Sequence, residues 1–259
     1  MSFKKLKMSK LTTFIQRCED ILSPHAFKDY CPNGLHVEGS ATISRLALAV
    51  TANQAAIDAA IAWGAQALLV HHGLMWRGES GVLTGFRAQR ARSALAAGLN
   101  VIAYHLPLDA HASLGNNVQL GAKLGIANPQ AMSDAGIVYQ GELNDISAQD
   151  FAQHVGTVLA RPALVLGDAS KILRRVAWCT GGGASYFEAT ISAGKSAGVD
   201  AFITGEASEQ YVHIARESGV PLILAGHHAT ERYGVQALGA ALAADLGLEA
   251  RYFEVDSPL

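Results

Sequence analysis

Three short apolar runs, residues 67–70, 100–104 and 221–225, lead into histidine: His71-His72-Gly73, His105 and, one glycine later, His227-His228. Runs of this length and composition read as buried strands. In open parallel sheets, ligands collect at the carboxyl ends of strands, which is where these histidines fall. Two of the runs continue alike, as His105-Leu106-Pro107-Leu108-Asp109 and His227-His228-Ala229-Thr230-Glu231, each setting a histidine four residues ahead of a carboxylate. Imidazole nitrogen with carboxylate oxygen is the donor set of a borderline divalent metal such as zinc, manganese, iron or cobalt. Five of the ten histidines lie in these motifs, so clustering rather than abundance argues for a metal site, and its extent argues for two ions.

The rest of the chain alternates strand and helix. Residues 11–22 have helical apolar spacing, Asn33-Gly34 marks a turn, and a short strand follows at 35–37. Residues 46–51 read as a strand, 54–63 as an alanine-rich helix ended by Gly64, and 87–97 as another helix. The order then recurs: 176–180 matches the strand at 46–51, the helix at 186–197 matches the helix after it, 198–204 matches 64–70, and 221–225 matches the run before His105. The fold class expected is α/β, two similar lobes with mixed, largely parallel sheets and the metal site at strand ends between the lobes. The first lobe is expected over 1–127, with 1–10 a flexible extension, and the second over 128–259. Within the second, the inserted segment 128–175 carries a strand near 138–143, a helix after the N-cap Ser147 and a strand at 163–166. Residues 250–255 read as a final strand.

Composition excludes several classes. Half of the 259 residues are hydrophobic and 16% are charged, and the net charge is −2. That balance offers no broad field for nucleic acid or anionic membrane, and no sequence-specific nucleic-acid partner is expected. The longest apolar stretch, 235–248, is broken by Asp245 and falls short of the ~18 residues of a membrane span. The start carries four lysines and no apolar segment of the secretory kind. Cys18, Cys31 and Cys179 have no C-x-x-C spacing, which fits a reducing cytoplasm. Thr180-Gly181-Gly182-Gly183 either turns its N–H groups to an anion or merely permits a tight strand-to-helix turn. There is no phosphate-loop or nucleophile-elbow motif.

Taken together, His71-His72-Gly73, the 105–109 motif with Gly115-Asn116-Asn117, Thr180-Gly181-Gly182-Gly183, Thr204-Gly205-Glu206 and Gly226-His227-His228-Ala229-Thr230-Glu231 resemble the GTP cyclohydrolase 1 type 2 homologs, also called the NGG-interacting factor three-like dinuclear-metal proteins. The resemblance runs from about residue 11 to the end and includes Pro32-Asn33-Gly34-Leu35. It implies that His71, His72, Asp109, His227 and Glu231 ligate two divalent ions, with Glu231 bridging, and that the subunits form a toroidal homohexamer. Zinc, iron, manganese, cobalt and nickel all suit that donor set.

Three neutral imidazoles and two carboxylates around two divalent ions leave a formal charge of +2, which attracts anions. The function expected is metal-dependent hydrolysis of a phosphorylated or nucleotide-like small molecule. The alternative is a metal-dependent binding or regulatory protein without turnover. A positioned acid or base separates the two readings. His105, counterpart of His227 in the echo, is the first candidate. Glu206 and His228 are placed either to act on substrate or to hold a ligand in position.

Overall fold

The central strands of the two larger sheets are wholly or almost wholly buried, as expected where both faces of a sheet are covered. In the computed structural model, residues 7–79, 81–133, 135–193 and 198–259 are described. In chain order the elements are β1 (Ser9–Lys10), α1 (Leu11–Leu22), β2 (Gly34–Val37), β3 (Thr42–Ile43), β4 (Arg45–Thr51), α2 (Gln54–Trp63), β5 (Ala67–His72), α3 (Gly85–Ala96), β6 (Asn100–Ala103), α4 (Leu106–Ala110), α5 (Asn116–Lys123), β7 (Ala127–Ala131), β8 (Tyr139–Ser147), α6 (Ala148–Leu159), β9 (Leu164–Leu166), β10 (Ile172–Trp178), α7 (Phe187–Ala193), β11 (Ala201–Thr204), α8 (Gln210–Ser218), β12 (Leu222–Leu224), α9 (His227–Thr230), α10 (Arg232–Leu246) and β13 (Glu249–Tyr252). They divide into two compact units, Met1–Leu108 with Gly234–Val255, and Asp109–Tyr233 with Asp256–Leu259.

The first unit holds a five-stranded sheet of order β13-β4-β5-β6-β2. Its first three pairings are parallel and only β2 runs antiparallel. Alanines at 47, 49, 56 and 60 pack with Ile57, Leu68, Val70 and Val101 in its core. The α2 helix starts at Asn53, whose side chain accepts from the Ala56 N–H, and stops at Gly64 in the left-handed region. Buried Asn100 ties loops to the sheet by donating to the carbonyls of Ser40 and Gln66 and accepting from the Gly39 N–H. The final strand, β13, pairs with β4 in this unit. Helix α10 lies against the same sheet, close enough that a Cβ at Gly239 would overlap Leu48.

The second unit holds a six-stranded sheet of order β7-β8-β10-β11-β12-β9. Only β10-β11-β12 is parallel; the other three pairings are antiparallel. This sheet is thus less parallel than expected, because residues 127–166 supply three strands, β7, β8 and β9, to its two flanks. Ser147 caps α6 by accepting from the Asp150 N–H. Trp178, fully buried with Phe151, Val155, Ile203 and Ile223, centres the core. Its indole N–H donates to the Asn117 carbonyl.

Several boundaries differ from the sequence-based expectation. Residues 109–127 belong with the second unit, and 234–255 return to the first. Ser9 and Lys10 are not a free extension, since they pair antiparallel with Ile43 and Thr42. Residues 1–6, and residues 194–197 of the helix expected at 186–197, lie outside the described residues. No helix among the described residues is long and apolar enough to cross a membrane.

Candidate metal centre

In the first unit the β5 strand ends in His71 and His72, both buried. Both still lie within the strand, where β5 runs on past the β6 pairing, which stops at Ala103 opposite Val70. The two ring centroids are 4.5 Å apart, and His105, just past β6, lies 5.0 Å from His71 and 5.7 Å from His72. One ligand atom from each of the three falls within 4.8 Å of the others. The His71 Nδ1–H donates to the Tyr104 carbonyl at 3.0 Å, which leaves the lone pair of a neutral ring on Nε2. His72 Nδ1 lies 3.3 Å from the Thr51 hydroxyl.

His105 is held differently, by a carboxylate that sequence reasoning missed. Its Nδ1–H faces both oxygens of Asp29, at 2.9 and 3.1 Å. Its backbone N–H donates to Asn33 Oδ1. Asp29, with 3% of its side chain exposed, also accepts from the Asn33 amide and from the backbone N–H groups of Leu106 and Tyr30. Burial alone would raise its pKa, but the bond to and charge of His105, with Asn33 and Leu106, hold it well below the usual carboxylate range. The Tyr30 hydroxyl stands 3.4 Å from the opposite ring nitrogen, Nε2. Asp29 lies 76 residues from its partner, in a segment whose only local signal is the Pro32-Asn33-Gly34 turn.

The second unit carries Asp109, His227 and Glu231. Asp109, buried in α4, accepts from Asn116 Nδ2 at 2.9 Å and from the Thr180 hydroxyl at 3.3 Å. Asn117 accepts from the Thr180 N–H through Oδ1 and reaches the Asp109 carbonyl through Nδ2. The Asn-Asn pair after Gly115 therefore holds Asp109 by both its carboxylate and its backbone carbonyl. Glu231 follows α9 directly, one helical turn after His227, and its Oε2 is 3.3 Å from His227 Nε2. The other ring nitrogen, Nδ1, is 3.0 Å from Glu206, so Glu206 orients that imidazole. Burial would lower the His227 pKa, but Glu231 and Glu206 together raise it to about 9 in the metal-free chain. The His228 side chain lines a cavity of about 400 Å³ with Arg161 and Arg232.

The glycine run after β10 is explained by space. Gly181 has φ +62°, and a Cβ there would overlap the Glu231 carboxylate. Its N–H is given to the Thr230 hydroxyl at 2.9 Å, so a tight turn beside Glu231 is what this glycine provides. Cys179, buried below the turn, is pushed well above the usual thiol range by burial and then by Asp109 and Glu231, which makes it a poor nucleophile.

The family model Duf34/NIF3 (NGG1p interacting factor 3) matches residues 9–258. The chain is 49% identical, over 97% of its length and 98% of the relative's, to the GTP cyclohydrolase 1 type 2 homolog of Allochromatium vinosum, and 43% identical, over 95% and 97%, to that of Neisseria meningitidis serogroup B strain MC58. Among solved structures, protein ybgI, described as of unknown function, superposes with a TM-score of 0.89 at 42% identity, covering 97% of this chain and all of that one. TTHA1606 from Thermus thermophilus gives 0.85 at 29% identity with the same coverage. The chain belongs to the Duf34/NIF3 family.

Two outcomes follow from the second unit's geometry. Because the folded, metal-free protein holds the His227 proton more tightly than the unfolded chain, the stability this group contributes is fully present below about pH 6.5 and is lost as pH rises through about 9. Urea titrations of chelator-treated protein across that window should show the decline, and His227→Gln should remove it. Gly181→Ala should leave secondary structure intact by circular dichroism while lowering the melting temperature by several degrees, since the added Cβ forces the buried Glu231 to move; an unchanged melting temperature would contradict the close packing.

Proposed function

We propose that His71, His72, Asp109, His227 and Glu231 are the ligands of two divalent ions, Glu231 serving both, and that the protein hydrolyses a phosphorylated or nucleotide-like small molecule. The donor chemistry supports the fit. Three imidazoles and two carboxylates suit zinc, iron, manganese, cobalt or nickel. His71 and His227 each have Nδ1 engaged by an outer acceptor, Tyr104 carbonyl or Glu206, the usual way of aiming Nε2 at an ion.

The observation that favours turnover over mere binding is the Asp29–His105 pair. When bound, two ions held close together supply Lewis acidity toward a phosphoryl or carbonyl oxygen and lower the pKa of water. His105 Nε2 takes the proton of the attacking water and returns it to the leaving group. Asp29, kept ionised, holds the ring in the Nδ1–H tautomer and stabilises the imidazolium that forms, the logic of a histidine–carboxylate pair in acyl transfer.

The assembly proposed is the toroidal homohexamer implied by the family resemblance, in the cytoplasm, where the described residues' lack of disulfides fits a reducing compartment. Light scattering at micromolar concentration should give six times the chain mass; a stable monomer would overturn the ring but not the metal reading.

Metal analysis of protein purified without chelator should approach two equivalents per chain. Glu231→Ala should lower occupancy at both positions, and a single equivalent indifferent to this change would sink the dinuclear centre. His105→Ala should keep both ions yet lose about 100- to 10,000-fold of turnover in a screen of phosphomonoesters, phosphodiesters and nucleotides. Loss of an ion in that variant would make His105 a ligand instead.

A further inference from the structure

Large aromatic side chains left exposed beside a reactive centre call for an explanation, and the first unit has two. Trp76 is 37% exposed and Tyr30 44% exposed. The Trp76 ring lies 4.7 Å from His72, tilted by 34°. Tyr30 meets His105 edge to face at 4.8 Å, and the Arg77 guanidinium stands 5.7 Å over the Tyr30 ring. Trp76, His72, His105, Tyr30 and Arg77 thus form one arc of flat groups, with a cation at the end.

The arc is held in shape from behind. The Trp76 backbone N–H donates to Glu79 Oε2 at 3.1 Å, and the other Glu79 oxygen accepts from Arg87. That clasp fixes the loop that carries Trp76 and Arg77, so little ordering remains to be done when a ligand arrives. An exposed indole and phenol set against imidazoles offer stacking faces to a planar ring. Arginine adds a fork-shaped donor that matches phosphate or carboxylate and also stacks on rings.

From this we infer that the first unit carries a stacking subsite for a planar aromatic heterocycle bearing an anionic group: Trp76 and Tyr30 take the ring and Arg77 takes the anion. This rests on, and narrows, the reading of a nucleotide-like substrate. It makes Trp76 and Arg77 specificity residues, which touch the part of the ligand that does not react.

Calorimetric titration with adenosine 5′-monophosphate, adenosine and ribose 5-phosphate, on metal-loaded and chelator-treated protein, tests it. Adenosine monophosphate should bind tightest. Trp76→Ala should weaken both adenosine compounds about ten-fold, the size of one base-aromatic stack, and leave ribose 5-phosphate unchanged, while Trp76→Phe restores binding. Arg77→Ala should weaken the nucleotide more than the nucleoside. Ribose 5-phosphate binding as tightly as the nucleotide, or a Trp76→Ala effect equal for all three ligands, would overturn the subsite. Trp76-dependent nucleotide binding by a protein that takes up no metal would support the subsite while sinking the dinuclear reading. Two bound ions without any Trp76 dependence would do the reverse.

Discussion

A buried polar atom must find a partner, and around the candidate ligands that constraint governs the local structure. Leaving a buried donor or acceptor unpaired costs about 1–3 kcal/mol, more when it is charged. Asp109 meets the demand with Asn116 and Thr180. His71 meets it with the Tyr104 carbonyl, and His227 with Glu206. Asp29 meets it with His105, Asn33, Leu106 and Tyr30. Each partner fixes a direction as well as a charge, so the groups that make burial tolerable also aim the side chains.

The sheets supply the platform on which this aiming works. In each unit a parallel trio, β4-β5-β6 or β10-β11-β12, is flanked by an antiparallel strand beyond its last member, β2 or β9. Parallel strands end on the same side, so Thr51, His72 and His105 gather in the first unit, and Thr180, Glu206 and His227 in the second. Small residues then set the distances. Alanines in β4 and α2 let helix approach sheet, Gly121 lets α5 press on the Trp178 indole, and Gly181 leaves room for Glu231.

Membership of the Duf34/NIF3 family rests on nearly the whole chain. The histidine–carboxylate pair at Asp29 and His105 adds something that local donor spacing does not show: an imidazole whose Nδ1 is held by a buried carboxylate. Its segment, residues 27–33, has no periodic pattern, and its importance comes entirely from where the Pro32-Asn33-Gly34 turn places it. The aromatic arc from Trp76 to Arg77 is of the same kind, assembled from two loops whose sequences carry no motif for it.

The sequence by itself determined the α/β class, the three strands that lead to histidines, the cap at Ser147, and the donor types of the candidate centre. Those follow from local causes: apolar periodicity, turn dipeptides, and the chemistry of imidazole and carboxylate at fixed spacing. Tertiary structure decided the rest. It sent 234–255 back to the first unit, because β13 finds its parallel partner in β4. It placed His71 and His72 inside β5, past the point where the β6 pairing stops. It paired Asp29 with His105 across 76 residues, because a desolvated carboxylate is stable only where donors converge on it, and such convergence is a property of the folded chain rather than of any stretch of it.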